Sequence, residues 1–308
     1  MRAPRPISRR TALQVGAFGL AAGPLMAAGT QSRASGGGVP KGYELTFGDE
    51  FDNADVSRIN ENATGGRPGA PAWRSRYRHP RKDAINQEKQ IYMDAAFAGT
   101  SDRPLGIQPF RIANSVLEIT AAPADPKRVS PFVWDRRYTS GCITTELTHR
   151  QRYGYYEVRA KVPRGKGFWP AFWLLPMSGA WPPEIDIVEI SGARPRSIWT
   201  NVHPPKGTTA RAPATPRAAM PGRWLDDVAD ITDGFHVYAM EWTPERITCF
   251  FDGKPVSEAE GHGIHEEMYF IANLALGSHE PNWIPDPDDT TPFPGVLGID
   301  YVRIYGKA

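Results

Sequence analysis

The sequence has few cysteines and almost no excess of charge. Its 308 residues contain only Cys142 and Cys249, so a disulfide framework cannot hold the fold, although these two thiols could still pair. The formal net charge is +2, without the basic stripe that usually marks nucleic-acid binding or anionic-membrane binding. We therefore expect a fold held by a hydrophobic core, and no nucleic-acid partner.

Long hydrophobic runs are also missing, even at the N-terminus. Ser8-Arg9-Arg10 precedes a modestly apolar segment and resembles a twin-arginine export signal. Gly and Pro interrupt that segment, which falls short of the roughly twenty apolar residues that a transmembrane helix needs. We expect a signal peptide over residues 1–34, cleaved after Ala28 or Ala34. The exported protein would lie in the periplasm or outside the cell, without a stable membrane anchor.

Helical periodicity is absent as well, because no long stretch combines a 3.6-residue period with caps at both ends. Instead, short β-like runs alternate with turns, in a chain that has 30 Gly and 30 Pro. Asp252-Gly253 is a typical hairpin signal. The pattern predicts an all-β single domain over residues 35–308, with two packed antiparallel sheets as in a sandwich or jelly roll. The eleven predicted strands lie in 43–47, 115–123, 141–149, 153–163, 170–176, 184–190, 198–203, 236–243, 246–256, 268–276 and 298–306.

The segment EIDIVE carries three acids in an otherwise apolar strand: Glu184, Asp186 and Glu189. Since side chains alternate along a strand, Glu189 should point away from the other two, unless Ile187 and Val188 form a β-bulge. With a bulge, the two glutamate carboxyls would stand roughly 5 Å apart, as in retaining glycosidases. The alternative is an edge strand whose solvated acids prevent aggregation.

Three carboxyl groups on one face cannot all ionise easily, so they share protons, and their pKa values separate. One acid can then stay protonated while another is a carboxylate, which is the arrangement that acid/base catalysis requires. Trp169, Trp173 and Trp181 stand close by in sequence, and indole faces suit the stacking of sugar rings. Trp169 and Trp173 share one face, which is either cleft or core.

The sequence resembles glycoside hydrolase family 16, whose β-jelly-roll sandwich has a concave substrate cleft. The bulged pattern E-x-D-x-x-E is typical of its laminarinase or endo-β-1,3(4)-glucanase-like bacterial members. The resemblance covers nearly the whole chain after the expected signal, in the family's order. Its motifs lie at 46–52, 86–92, 138–145, 153–176, 184–189, 235–256, 271–277 and 299–306.

The resemblance implies a role for each acid and a set of substrate contacts. Glu184 would be the nucleophile, Glu189 the general acid/base, and Asp186 the residue that tunes the pKa values of both. Besides the three tryptophans, the implied cleft residues are His203, Trp242, Asn273, Asn86 and Glu88.

No cofactor is expected for catalysis, and the expected partner is a polysaccharide bound by a monomer. Many family members hold one structural calcium ion, and Glu50 and Asp300 stand where its ligands would be, since hard oxygen ligands suit Ca²⁺. The expected activity is retaining endo-hydrolysis of a β-1,3- or β-1,3/1,4-glucan or a related exopolysaccharide. The alternatives are an agarase- or carrageenase-like galactanase, a transglycosylase, and a glycan-binding protein without hydrolysis.

Overall fold

The computed structural model describes residues 38–308, apart from residues 68, 84, 214–218, 220 and 279–282. The expected signal peptide over residues 1–34 lies outside these described residues and stays a prediction. None of the helices in the described part of the chain is long and apolar enough to cross a membrane.

Strands are the main regular structure of the described chain, and its helices are three 3₁₀ turns, at Val56–Arg58, Ile85–Gln87 and Ser130–Phe132. The strands are β1 (Tyr43–Asp49), β2 (Ile59–Asn60), β3 (Gly66–Arg67), β4 (Ala70–Pro71), β5 (Trp73–Arg74), β6 (Gln90–Tyr92), β7 (Phe110–Ala113), β8 (Val116–Pro123), β9 (Tyr138–Ser140), β10 (Cys142–Thr144), β11 (Gly154–Lys161), β12 (Phe168–Pro176), β13 (Glu184–Glu189), β14 (Ser197–His203), β15 (Arg223–Asp226), β16 (His236–Trp242), β17 (Arg246–Phe251), β18 (Lys254–Glu260), β19 (Met268–Leu276) and β20 (Gly295–Lys307). All eleven predicted runs contain a strand.

Two large sheets form the sandwich. The ten-stranded sheet has the order β18-β17-β16-β11-β20-β8-β9-β6, and β1 and β7 pair with β20 and β8. The eight-stranded sheet has the order β15-β14-β13-β12-β19-β10-β5-β2, and β3 pairs with β4 alone. The long strands pair antiparallel, whereas the short pairs β2–β5 and β6–β9 are parallel. The all-β prediction is confirmed.

The main core lies between the two sheets and is built by alternate residues of each strand. On β12 these are Phe168, Phe172 and Leu174, and on β11 they are Tyr156, Val158 and Ala160. The predicted turn between β17 and β18 is also present: Asp252 and Gly253 both have positive φ, as a type I′ hairpin turn requires.

A second apolar cluster covers the outer face of the eight-stranded sheet. Tyr77 and Tyr92, from the segment between β5 and the end of β6, pack on Cys142, Tyr269 and Ile271. Every residue of β19 is therefore buried, on both faces of the sheet. The segment forms a wall that limits one side of the outer face.

The two cysteines are free and buried in different clusters. Cys142 belongs to the outer cluster on the eight-stranded sheet, and Cys249 belongs to the main core. They do not form a disulfide in this fold.

Candidate active site

The strand β13 contains the β-bulge that the spacing of the acids predicts. Asp186 pairs with Asn201 of β14, and the next paired residues are Glu189 and Trp199. Three steps on β13 therefore match two steps on β14, so Ile187 and Val188 occupy the place of one residue. Both side chains are buried in the core, which returns Glu189 to the face of Glu184 and Asp186.

The register of the neighbouring strands sets which side chains surround the acids. On β12, Ala171 lies opposite Glu189, and Trp173 lies opposite Asp186. On β14, His203 lies opposite Glu184. The outer face of the eight-stranded sheet thus carries a row of three acids with aromatic rings on both sides, and we call this face the cleft.

Two indole N–H groups donate hydrogen bonds to the two glutamates. Trp181 Nε1 donates to Glu184 Oε2 at 3.0 Å, and Trp169 Nε1 donates to Glu189 Oε1 at 3.1 Å. Trp169 is almost fully buried, whereas Trp181 is 61% exposed at the rim. The two indole groups therefore fix the orientation of the carboxyl groups.

Asp186 lies deeper than the two glutamates and faces His203. His203 Nε2 is 3.4 Å from Asp186 Oδ2 and 3.7 Å from Glu184 Oε1. Val202 N–H donates to Asn201 Oδ1, which leaves Asn201 Nδ2 to donate to His203 Nε2 at 3.0 Å. A nitrogen that accepts cannot also donate, so Asp186 Oδ2 has no donor among the described residues. A proton shared with Glu184 would satisfy it.

Burial and mutual repulsion act on the pKa values of both glutamates. Burial raises the pKa of Glu184 well above its ordinary value, and the charges of Asp186 and Glu189 raise it further. Burial also raises the pKa of Glu189, followed by the charge of Asp186. The hydrogen bonds from Trp181 and Trp169 oppose these effects, because they stabilise the carboxylate forms. Burial and mutual repulsion therefore favour the protonated form of the glutamates over the fully ionised cluster.

The same cluster is the one place in the described residues where three acidic or histidine side chains come close enough to hold a metal ion. Ligand atoms of Glu184, Asp186 and His203 all lie within 4.8 Å of one another. Two of these side chains already have donors, since Trp181 Nε1 donates to Glu184 and Asn201 Nδ2 donates to His203.

A family model provides the decisive comparison. The model for glycosyl hydrolases family 16 matches residues 108–275, which is more than half of the chain and includes all of β12, β13 and β14. The chain belongs to glycosyl hydrolases family 16.

Two relatives that cover most of this chain are named for the glycans or glucans on which they act. The chain is 34% identical over 264 residues to endo-1,3-1,4-beta-glycanase ExsH of Rhizobium meliloti, with 84% of this chain and 51% of the relative covered. It therefore spans about half the length of that relative. It is 31% identical over 292 residues to a beta-glucanase of Rhodothermus marinus, with 85% of each chain covered.

Solved structures of family 16 share the fold. One is a variant of SCLam, a non-specific endo-beta-1,3(4)-glucanase, with 1,3-beta-D-cellobiosyl-glucose at its active site. It superposes with a TM-score of 0.65 at 25% identity, covering 88% of this chain and 97% of the other. The family 16 jelly roll expected from the sequence is confirmed.

Most of the expected cleft residues meet around the acids of this family 16 site. Trp169 and Trp173 share the cleft face, which answers the question that their even spacing leaves open. Trp173 Nε1 donates to Asn273 Oδ1 at 2.7 Å, so Asn273 lies in the floor of the cleft beside β12. The ring of His203 is 5.7 Å from that of Trp181.

The prediction for Trp242 is wrong. Trp242 is fully buried in the core between the sheets, where its ring meets that of Tyr153 edge to face. Its strand, β16, belongs to the ten-stranded sheet, and the alternation of Tyr238, Met240 and Trp242 directs all three side chains into the core. Trp242 therefore cannot contact a sugar in the cleft.

Asn86 does not join the acids either. It is exposed in the 3₁₀ turn Ile85–Gln87, in a left-handed conformation with φ of 52°. In the described residues its side chain forms no hydrogen bond with the cleft. Glu88, two residues later, is the member of this segment that turns inward.

The expected calcium ligands are held by arginines. Glu50 accepts two hydrogen bonds from Arg303, at 2.7 and 3.0 Å, and Asp300 pairs with Arg159 at 2.6 Å. Each guanidinium supplies the positive charge that an ion would bring, so this arrangement does not favour calcium at these two residues. The ion stays a prediction, and no step below depends on it.

Three further tryptophans near Glu189 were not anticipated. Trp199 and Trp283 lie 4.2 Å apart edge to face, and Trp224 is 4.8 Å from Trp283. The guanidinium of Arg194 stands 4.6 Å from the ring of Trp224. Counting by two from His203 would have placed Trp199 on the cleft face, but Trp224 lies on an edge strand and Trp283 in a loop, where no periodic signal exists.

Proposed function

We propose that this protein is an exported, retaining endo-β-glucanase that cleaves by double displacement. The observation that carries the proposal is the bulged strand β13, which presents Glu184, Asp186 and Glu189 together on a cleft face lined by tryptophans. Two carboxyl groups on one side of a sugar-binding face, each with a fixed orientation, are what retaining glycoside hydrolysis requires.

In the first step, the Glu184 carboxylate attacks the anomeric carbon of the sugar on its side of the scissile bond. Glu189 gives its proton to the glycosidic oxygen as the bond from that oxygen to carbon breaks. The leaving chain departs with the proton, and a glycosyl ester remains on Glu184. The indole N–H of Trp181 holds Glu184 Oε2, which leaves Oε1 free to act.

In the second step, the Glu189 carboxylate takes a proton from water as the water oxygen attacks the anomeric carbon. The ester bond breaks, Glu184 recovers its negative charge, and the configuration is retained. Esterification removes one negative charge from the cluster, so the pKa of Glu189 falls at the stage where it must act as a base. Asp186 couples the two glutamates in both steps.

The proposed substrate is a β-1,3- or mixed-linkage β-1,3/1,4-glucan, or a related exopolysaccharide. The names of the relatives support it, since they refer to endo-1,3-1,4-beta-glycanase and beta-glucanase activity. The SCLam structure supports it further, because a mixed-linkage gluco-oligosaccharide occupies its active site. The tryptophans around the acids provide the apolar faces on which glucose rings stack.

Export is part of the proposal, and the twin-arginine pattern at residues 8–10 is what supports it. A polymer too large to enter a cell is cut outside the cytoplasm.

The test is a reducing-end assay on laminarin, barley mixed-linkage glucan, a succinoglycan-type exopolysaccharide, agarose and carrageenan. Glu184→Gln and Glu189→Gln are each expected to lower kcat at least about a thousandfold, because each removes a member of one catalytic unit. Glu118→Gln, a change on the ten-stranded sheet at a half-buried glutamate paired with Arg111, is the matched control. Proton NMR of the first product should show the β-anomer. An α-anomer, or near-normal rates in both glutamine variants, would refute the mechanism.

A further inference from the structure

Glu88 is a buried carboxyl group in the cleft wall that the mechanism above does not use. It is 7% exposed, and its Oε2 accepts hydrogen bonds from Gln90 Nε2 at 2.5 Å and Tyr92 Oη at 3.1 Å. Gln90 is itself anchored, since its Oε1 accepts from the backbone N–H of Leu276 at 2.7 Å. The carboxyl group is therefore held in one place.

A chain of hydrogen bonds runs from Glu88 to the floor of the cleft. Tyr92 Oη, 2.8 Å from Tyr77 Oη, accepts from Asn273 Nδ2 at 3.1 Å. Asn273 Oδ1 in turn accepts from Trp173 Nε1. Glu88 is thus connected to the two strands, β19 and β12, that lie between the wall and the acids.

The sheet register gives the position of this network relative to Glu189. Asn273 lies opposite Ala171, and Ala171 lies opposite Glu189, so the three residues form a line across adjacent strands. With strands about 4.8 Å apart, the backbones of Asn273 and Glu189 are separated by about 10 Å, and their side chains share the cleft face. Only the small side chain of Ala171 stands between them.

The charges around Glu88 leave its carboxylate unpaired. Arg136 donates to the backbone carbonyl of Glu88 at 3.0 Å, and Arg81 pairs with Asp94. In the described chain, no arginine or lysine forms an ion pair with the carboxylate itself. Burial raises the pKa values of the adjacent Tyr77, Tyr92 and Cys142, so these groups are neutral at neutral pH.

We propose that Glu88 is a positioning residue for the general acid: its carboxylate, fixed by Gln90 and Tyr92 beside the cleft floor, helps to keep the proton on Glu189. The proposal rests on the function argued above, in which Glu189 is the acid/base. Consistent with it, the charge of Glu88 raises the pKa of Glu189. Burial raises the pKa of Glu88 itself to about 7, against the lowering effects of its hydrogen bonds from Gln90 and Tyr92 and of the charge of Arg136.

The size of the effect follows from the separation. Glu88 lies beyond Asn273, to which Tyr92 links it, so its carboxyl group is on the order of 10 Å or more from that of Glu189. At that separation, with an effective dielectric constant of about 20, a unit charge on Glu88 shifts the pKa of Glu189 by at most roughly one unit. Since Glu88 carries its full charge only above about pH 7, we expect a shift of about half a unit to one unit. The proton that Glu189 must donate is lost at the alkaline limb of the pH profile of kcat/KM.

The first experiment is that pH profile, measured on laminarin for the wild type, Glu88→Gln, Glu88→Asp and the control Glu118→Gln. Glu88→Gln should move the alkaline limb to lower pH by about half a unit to one unit, and Glu118→Gln should not move it. Glu88→Asp keeps the charge, so its limb should stay near that of the wild type even if kcat falls. If both Glu88 variants are slower but the alkaline limb of the pH profile stays in place, Glu88 has only a structural role and the proposal is overturned.

A second measurement needs no turnover. The ¹³C carboxyl resonance of Glu189, followed by NMR against pH, should titrate at lower pH in Glu88→Gln than in the wild type. Equal titrations would overturn the proposal whether or not the protein cleaves glucan. A shifted titration in a protein that cleaves none of the polymers would support the coupling and refute the proposed function.

Discussion

The hydrogen bond from Trp181 to Glu184 can be removed with little change to the fold. Trp181 is 61% exposed at the rim of the cleft, and its Nε1 donates to Glu184 Oε2 at 3.0 Å. Trp181→Phe keeps an aromatic face for the sugar but has no N–H. We expect the acidic limb of kcat/KM to move to higher pH in this variant.

The direction of this shift follows from the proposed role of Glu184, and its size follows from the strength of the hydrogen bond from Trp181. In the proposed mechanism Glu184 attacks as a carboxylate, so kcat/KM should fall as the pH drops through the pKa of Glu184. The indole N–H of Trp181 stabilises the carboxylate and lowers the pKa of Glu184, so removing the N–H raises this pKa. A hydrogen bond to a charged group contributes about 1.5 kcal/mol, which is about one pKa unit. Because Trp181 lies at the exposed rim, water replaces part of the lost hydrogen bond to Glu184. We therefore expect the acidic limb to move by roughly half a pH unit.

The assay is kcat/KM on laminarin in half-unit steps of pH. Trp181→Ala serves as the companion variant, because it also removes the ring and should raise KM several-fold beyond the phenylalanine variant. Trp134→Phe, at a second exposed tryptophan, which is not among the hydrogen-bond donors to the three acids in the described residues, is the control and should leave both the acidic limb and KM unchanged. An acidic limb that stays in place in Trp181→Phe, or moves to lower pH, would refute the assignment of Glu184 as the group held by this bond.

Three further changes test other parts of the structure. Trp242→Phe should lower the free energy of unfolding by about 1–3 kcal/mol in urea and leave KM unchanged, because Trp242 is a core residue; a raised KM would contradict its burial. Trp199→Ala should raise KM several-fold with a smaller effect on kcat, since its ring borders the cleft beside Glu189; an unchanged KM would exclude Trp199 from substrate binding. For Glu88, the pKa of about 7 in the folded protein exceeds the ordinary value, so the folded state binds this proton more tightly than the unfolded state. The resulting contribution to the free energy of unfolding is complete below about pH 4.5 and is lost as pH rises through 7. The wild type should therefore lose about 3 kcal/mol more stability than Glu88→Gln between pH 4 and pH 8, measured by urea unfolding, and equal losses would contradict this pKa.

The strand that carries the acids could be predicted because its sequence contains conflicting periods. Glu184 and Asp186 follow the two-residue alternation, and the apolar pair Ile187-Val188 breaks it before Glu189. A bulge is the local structure that keeps every apolar side chain in the core and every acid out of it. A carboxylate that pointed into the core would be strongly destabilising, so the sequence permits few other arrangements of this strand.

Other parts of the site could not be predicted, because alternation along one strand does not say to which sheet the strand belongs. Trp173 and Trp242 both stand in well-formed alternating runs. β12 pairs with β13 in the eight-stranded sheet, and β16 pairs with β11 in the ten-stranded sheet. These long-range pairings place Trp173 in the cleft and Trp242 in the core. The inward turn of Glu88 likewise depends on β19, which lies almost two hundred residues away in sequence.

The bulge also explains why chemistry and specificity can vary separately in this fold. The side chains of Ile187 and Val188 hold the bulge in place by packing in the core between the two sheets. Core packing, and not a loop, therefore sets the separation of Glu184 and Glu189, since close-packed interiors resist small displacements. The tryptophans around the acids, by contrast, include Trp181 at the rim, Trp224 on an edge strand and Trp283 in a loop. Under the proposed function, changes in those peripheral segments can alter which polymer binds without moving the carboxyl groups of Glu184 and Glu189.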